Sequence, residues 1–162
     1  KALAVARKNA RRLKLSSVQF VQSNLLSRIS LHEYIPRQSA SSIRVNPRLV
    51  IVANLPYLTR AELKEPSIRY EPRLALYGGK DGLALYKKLF QQIQRNLARL
   101  NLAKGEQGWR GSTSPSSPEL FCEISETQGK KITALARRYF PKAKVEIKKD
   151  LAGKHRVAVI KI

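Results

Sequence analysis

A single cysteine, Cys122, occurs among the 162 residues, which excludes an internal disulfide and any multi-cysteine metal site. It lies in the apolar run Leu120-Phe-Cys-Glu-Ile124, the setting of a buried structural thiol rather than a nucleophile. Long apolar runs are missing as well: none approaches the ~18 residues of a membrane helix. The Arg/Lys-rich first stretch lacks the uninterrupted apolar core of a signal peptide. A cytoplasmic protein without membrane attachment is therefore expected. His32 and His155 have no metal-ligating or catalytic partner at recognisable spacing, so no metal site is expected. No internal repeat is visible. Acidic residues are scarce: eleven Asp/Glu face thirty-two Lys/Arg, a net charge of +21. Such a surplus draws polyanions by counterion release and would suit nonspecific nucleic-acid or ribosome contact. Equally, whole-chain charge governs solubility and loose association rather than function, and the basic residues are spread over every segment.

What is present suffices for one α/β domain, with 43% hydrophobic residues. Leu3, Ala6, Ala10 and Leu13 share one helical face over residues 2–13, ending in Arg11, Arg12 and Lys14. Val18–Gln22 reads as a short strand, and Ser23-Asn24-Leu25-Leu26 turns away from it. Residues 27–47, with Pro36, Pro47 and a serine-rich patch, are expected to be mostly loop. Arg48–Ala53 is a nearly continuous apolar run, which predicts a parallel strand covered on both faces. Residues 58–80 are expected to be irregular. Asp81 should cap a helix with Tyr86, Leu89, Phe90, Ile93, Leu97 and Leu100 on one stripe. Residues 103–118, rich in Gly, Ser and Pro and containing Trp109, read as a flexible insertion. Residues 119–124 form another short strand. Ser125-Glu-Thr-Gln128 has capping-box spacing and should open a helix that Pro141 closes after Phe140. Lys144–Lys148 alternates like a half-exposed strand, residues 150–154 turn, and Arg156–Ile160 reads as a more buried strand. The pattern is an α/β fold with a mixed sheet ending in an antiparallel hairpin.

The apolar strand 48–53 delivers Asn54-Leu55-Pro56-Tyr57. Strand carboxyl ends are where open α/β sheets bind ligands. An amide or exocyclic amine nitrogen is a poor nucleophile because its lone pair is delocalised. Methylating it requires acceptors that hold the NH2 hydrogens and favour charge build-up on nitrogen. Asn54 offers a side-chain carbonyl and Leu55 a main-chain one. Pro56 forces Leu55 into an extended conformation and presets its own φ. Tyr57 can cover a planar group. The same tetrapeptide also occurs as a plain strand-to-turn exit.

Several segments together resemble one family, the release-factor glutamine methyltransferases of the HemK/PrmC type. They are Ala2–Asn9, Val21–Leu26, Ile51–Tyr57, Arg69–Leu76, Gly78–Leu83, Glu123–Gly129 and Lys149–Gly153. The segments are collinear over nearly the whole chain. Tyr70-Glu-Pro-Arg-Leu-Ala-Leu76 and Glu126-Thr-Gln-Gly129 are more specific than the tetrapeptide. The resemblance implies a class I, Rossmann-like methyltransferase that transfers methyl from S-adenosylmethionine to a glutamine side-chain amide, in the Gly-Gly-Gln loop of peptide chain release factors. It implies that Asn54, Leu55, Pro56 and Tyr57 bind this glutamine, with Asn54, Pro56 and Tyr57 as the catalytic set. Asn24, Leu25 and Asn54 would contact the cofactor. Glu71 and Arg73 lie in a family-like segment where a plain loop role is equally open.

The departures are specific. Leu55 stands where the family usually has proline, which adds a backbone N–H. Asn-Leu-Pro-Tyr is also the form of ribosomal-RNA adenine dimethyltransferases, so an RNA or DNA adenine amino-methyltransferase remains a competing reading. Asn24 replaces the usual aspartate. The glycine-rich first strand-turn, the ribose-binding acid and the N-terminal helical domain have no counterpart in residues 1–162. That implies an N-terminally truncated catalytic domain, with weak cofactor binding and little activity by itself. A third reading is a non-catalytic, basic RNA- or ribosome-associated remnant.

Overall fold

The structure, a computed structural model, describes residues 1–31, 48–106 and 116–162. These form two compact units, Lys1–Ser30 and Leu31–Ile162. Trp109, His32 and most of the expected 27–47 loop lie outside the described residues.

The first unit is a helix and a turn. Helix α1 spans Ala2–Arg12, with Arg11 and Arg12 in its last turn, where cations complement the helix dipole. Ala10 is buried and Leu3 and Ala6 are half-buried, as their spacing predicts. Leu13 falls past the helix end and is exposed. The expected strand at 18–22 does not form: no β-ladder runs through it, and only Phe20 is half-buried. A ladder needs a second extended segment, and this unit holds none. The turn at Asn24 does form, and Leu25 takes a left-handed φ of +57°.

The second unit is built on a mixed four-stranded sheet in the order β1-β2-β4-β3. The strands are β1 (Arg48–Ala53), β2 (Ser116–Glu123), β3 (Lys144–Lys149) and β4 (His155–Lys161). β1 runs parallel to β2, with Ala53 opposite Cys122; β4 is antiparallel to both β2 and β3. The expected mixed sheet and terminal hairpin are therefore present. The hairpin turn is made by Asp150, whose Oδ1 accepts the Ala152 and Lys154 N–H groups at 3.0 and 2.9 Å.

Helix α2 (Arg73–Leu76) and two short 3-10 turns interrupt the stretch expected to be irregular. Helix α3 spans Ala84–Glu106 and α4 spans Gly129–Tyr139. Thus residues 103–106 continue α3 and 116–118 begin β2, leaving only 107–115 of the expected insertion outside the described residues. Helix α4 packs on β3 and β4, and α3 packs beside α4. Tyr86, Leu89, Phe90 and Ile93 are buried as the stripe predicts, and Leu97 is half-buried. Phe90 meets Phe140 at 5.6 Å and Tyr139 edge-on at 6.1 Å. Asn96 sits buried within this stripe, where its amide accepts the Leu31 N–H and donates to the Gln92 carbonyl. That pairing is what makes a polar group tolerable there.

One expectation about β1 is corrected. Strand β1 is parallel, and Ala53 is buried, but Val50 and Val52 are 48% and 78% exposed. Side chains alternate along a strand. Ile51 and Ala53 share the sheet face with Leu120, Cys122, Ala158 and Ile160, the face on which α4 meets Ile147. Val50 and Val52 point to the other face. Cys122 is a buried structural thiol, as its apolar run implies, and burial pushes its pKa up to about 12. No described helix is long and apolar enough to cross a membrane.

Candidate functional site

Asn54, Leu55, Pro56 and Tyr57 leave the carboxyl end of β1, beside Glu123 at the end of β2. Asn54 is exposed and the next three residues are half-buried. The main chain is held from three sides. Leu58 N–H donates to the Leu76 carbonyl and Gly78 N–H to the Leu58 carbonyl, both at 2.9 Å. Gln128 Nε2 donates to the Tyr57 carbonyl at 2.8 Å. Two glycines close in from behind. A Cβ on Gly78 would lie 2.5 Å from the Pro56 carbonyl oxygen, and one on Gly82 would lie 2.1 Å from that of Tyr57. No side chain fits at either place.

The Leu55 amide N–H, which a proline would lack, lies near the Tyr86 hydroxyl and acts to lower its pKa. That hydroxyl donates in turn to the Glu123 carbonyl. Burial outweighs the effect of the Leu55 N–H and raises the Tyr86 pKa, so the phenol stays protonated and can donate to the Glu123 carbonyl. The Tyr57 hydroxyl donates to Glu123 Oε1 at 3.0 Å. Its pKa is also raised, first by burial and then by the Glu123 carboxylate, while Arg156 pulls the other way. Arg156 is anchored by Asp150 at 3.2 Å. The ring of Tyr57 is thus tethered at its polar end, which limits its freedom to swing.

The segment Ser125–Gln128 departs from a capping box. Gln128 does reach back to the Ser125 N–H at 3.0 Å, but Ser125 Oγ donates to Glu62 Oε1 at 2.8 Å. Gln128 is itself the residue before α4. The box geometry instead ties this turn to the loop that follows Tyr57. Asp81 likewise is not the cap of α3. Its Oδ1 accepts the Leu83 N–H at 3.0 Å one turn ahead, and its Oδ2 pairs with Lys87 at 2.7 Å.

Glu62 is the second tie. One oxygen accepts the Thr59 N–H and hydroxyl at 2.7 and 2.8 Å, and the other accepts from Ser125. Burial opposes its ionisation, but the bonds from Thr59 and Ser125 outweigh this and hold its pKa below the ordinary value. A lowered folded pKa means a contribution fully present above the unfolded pKa, near 4.5, and lost as pH falls through the lower folded value. Glu62→Gln should cost about 1–2 kcal/mol near pH 7, since charge-assisted bonds are lost from a half-exposed site. It should cost progressively less on acidification below pH ~4, measured by urea unfolding at several pH values.

Among the described residues, nothing bonds the Asn54 side chain or the Leu55 carbonyl. These are the two acceptors that the sequence singles out, while the Tyr57 carbonyl and hydroxyl are bonded by Gln128 and Glu123. Asn24 and Leu25, the other expected cofactor residues, lie in the first unit. Glu71 is exposed; Arg73 begins α2. His155 is exposed at the start of β4. Sequence reasoning missed Gln128, Glu62, Tyr86, Glu123 and Arg156 as partners of the motif. Gln128 stood only as one end of a capping box, Glu123 within an apolar strand and Tyr86 within a core stripe.

No protein-family model matches the chain. Curated proteins similar to it include the release factor glutamine methyltransferase of Enterococcus faecalis, 28% identical over 161 residues, covering 98% of this chain and 47% of that protein. That of Bacillus subtilis is 30% identical over 158 residues, covering 96% and 44%. That of Thermosynechococcus vestitus is 35% identical over 109 residues, covering 65% and 32%. The chain spans about half the length of the curated relatives it matches from end to end. The chain is thus similar to release factor glutamine methyltransferases over nearly all of its own length.

Proposed function

We propose that these residues form the substrate side of a class I methyltransferase that modifies the side-chain amide nitrogen of a glutamine in a peptide chain release factor. The observation that carries this reading is the pair of unused acceptors, Asn54 Oδ1 and the Leu55 carbonyl, next to a Tyr57 whose carbonyl and hydroxyl are held by Gln128 and Glu123. A primary amide has two N–H donors. Accepting both turns the nitrogen lone pair toward an incoming methyl and favours the positive charge that develops on it. Pro56 keeps Leu55 extended, and the two glycines fix the Pro56 and Tyr57 main chain that follows it, so the Leu55 carbonyl needs no substrate to order it. The Tyr57 ring, tethered through Glu123, would cover the planar amide.

The cofactor implied by the relatives, S-adenosylmethionine, would supply an electrophilic methyl on a sulfonium. The motif fits such a partner: neutral acceptors are what an amide needs when no general base of high pKa is required. Asn54 would lie closest to the methyl donor. The parallel β1-β2 pair and the antiparallel β3-β4 hairpin support a Rossmann-like sheet of the class I kind.

The test uses the 162-residue chain and a chimera completed with the remainder of the Bacillus subtilis relative. Each is incubated with tritiated S-adenosylmethionine and a release factor or total RNA. Label in the release factor, abolished by Gln→Ala in its Gly-Gly-Gln motif, is the expected result for the chimera. Label in RNA alone would refute the reading.

A further inference from the structure

A groove of about 660 Å³ opens beside the motif, lined by Arg60, Leu63, Lys64, Arg73, Leu74 and Tyr77. Its size is that of a ligand or peptide site. Its lining has three cations and no acid. Leu74 is 91% exposed, a large side chain left to solvent at the mouth of the groove. None of the three cations has a carboxylate at ion-pair distance among the described residues. Of the acids near in sequence, Glu62 has both oxygens committed to Thr59 and Ser125, and Glu65 and Glu71 are exposed and form no ion pair among the described residues. The groove is joined to the motif through the chain. Leu58 bridges to Tyr77, which lines it, and Gly78 backs Pro56.

We infer that this groove docks an acidic, partly apolar stretch of the protein substrate, a few residues from the residue held at Asn54. The inference rests on the reading of Asn54–Tyr57 as a glutamine site. Arg60 follows Tyr57 by only three positions, so their Cα atoms are at most ~11 Å apart. An extended peptide rises ~3.3 Å per residue, which puts the acidic positions roughly three to six residues from the glutamine. Two arginines and a lysine around an apolar floor recognise carboxylates by charge-assisted, forked bonds, while Leu74 and Tyr77 gain from an adjacent apolar side chain. Such rim charges set partner choice and on-rate more than raw affinity.

The experiment measures binding of fluorescein-labelled peptides of about 15 residues, centred on Gly-Gly-Gln, to the chain. One peptide carries Glu at the flanking positions and a second carries Lys there. A third is the acidic peptide with Gln→Ala. The acidic peptide should bind at least about fivefold more tightly than the lysine one, with an advantage that shrinks as salt rises. The double variant Arg60→Glu/Arg73→Glu should reverse the preference with an unchanged melting temperature, because both side chains are exposed. Lys142→Glu/Lys144→Glu makes the same change of net charge on the hairpin side and should leave the preference intact. If that control acts as strongly as the groove variant, general charge explains the binding and the inference falls. It also falls if a polyuridine oligonucleotide loses as much affinity as the peptide in the groove variant. If the acidic preference survives Gln→Ala while no peptide binding depends on the glutamine, the groove stands and the glutamine site fails. Binding that depends on glutamine but ignores flanking charge leaves the glutamine site standing and overturns the groove.

Discussion

Asn54→Ala in the chimera completed to the relatives' length should lower turnover by about two to three orders of magnitude, with cofactor affinity changed by less than about threefold. Asn54 is exposed and its side chain bonds nothing among the described residues, so truncating it removes no packing and no internal hydrogen bond. A stability effect is therefore expected to be within about 0.5 kcal/mol. The loss would be that of one acceptor whose bond to the substrate N–H strengthens as charge develops on nitrogen. Burst kinetics give the chemical step, and isothermal titration gives cofactor binding. Equal losses in both would mean that Asn54 mainly holds the cofactor, and the glutamine reading would lose its principal residue.

Gly82→Ala should be the most damaging conservative change to the fold around the motif. Gly82 has φ +71°, a conformation that L side chains rarely adopt. Its added Cβ would also lie 2.1 Å from both the Tyr57 carbonyl oxygen and Gln128 Nε2. Neither partner can yield freely, because the two are bonded to each other at 2.8 Å. Strain and overpacking together should cost about 3–5 kcal/mol, or roughly 10 °C in melting temperature. Gly153→Ala separates the two causes. Gly153 has φ +78°, but nothing lies within 4 Å of its added Cβ, so the cost should be only about 1 kcal/mol. Thermal unfolding followed by circular dichroism measures both variants. Equal shifts would show that the close approach at Tyr57 carries no weight.

These two residues define different parts of one device. Asn54 and the Leu55 carbonyl have bonding capacity to spare, while Gly78, Gly82, Gln128, Glu62 and Tyr86 hold the rest of the loop. Substituting leucine for the proline usual at position 55 would look like a loss of rigidity. The added N–H lies near the Tyr86 hydroxyl, whose own proton goes to the Glu123 carbonyl.

Local rules made much of this protein legible from its residues. Apolar runs and alternation located all four strands of the sheet, because burial selects one face every second residue. Helical spacing found α1, α3 and α4 and most of their buried side chains. Gly, Asp and Pro marked the turns, and Asn54–Tyr57 stood out as a polar exit from an apolar strand. Other features depend on partners distant in sequence, and only the tertiary structure decided them. Val18–Gln22 has the composition of a short strand, yet a strand exists only when another backbone supplies its hydrogen bonds. Val50 and Val52 are as apolar as Ile51, yet they stay exposed because alternation turns them from the helix-covered face. Ser125–Gln128 has the spacing of a cap, but Glu62, sixty-three residues earlier, offers Ser125 a stronger acceptor. Sequence spacing reports which bonds a short segment can make. Which of them it does make is settled by competition with groups that folding brings alongside.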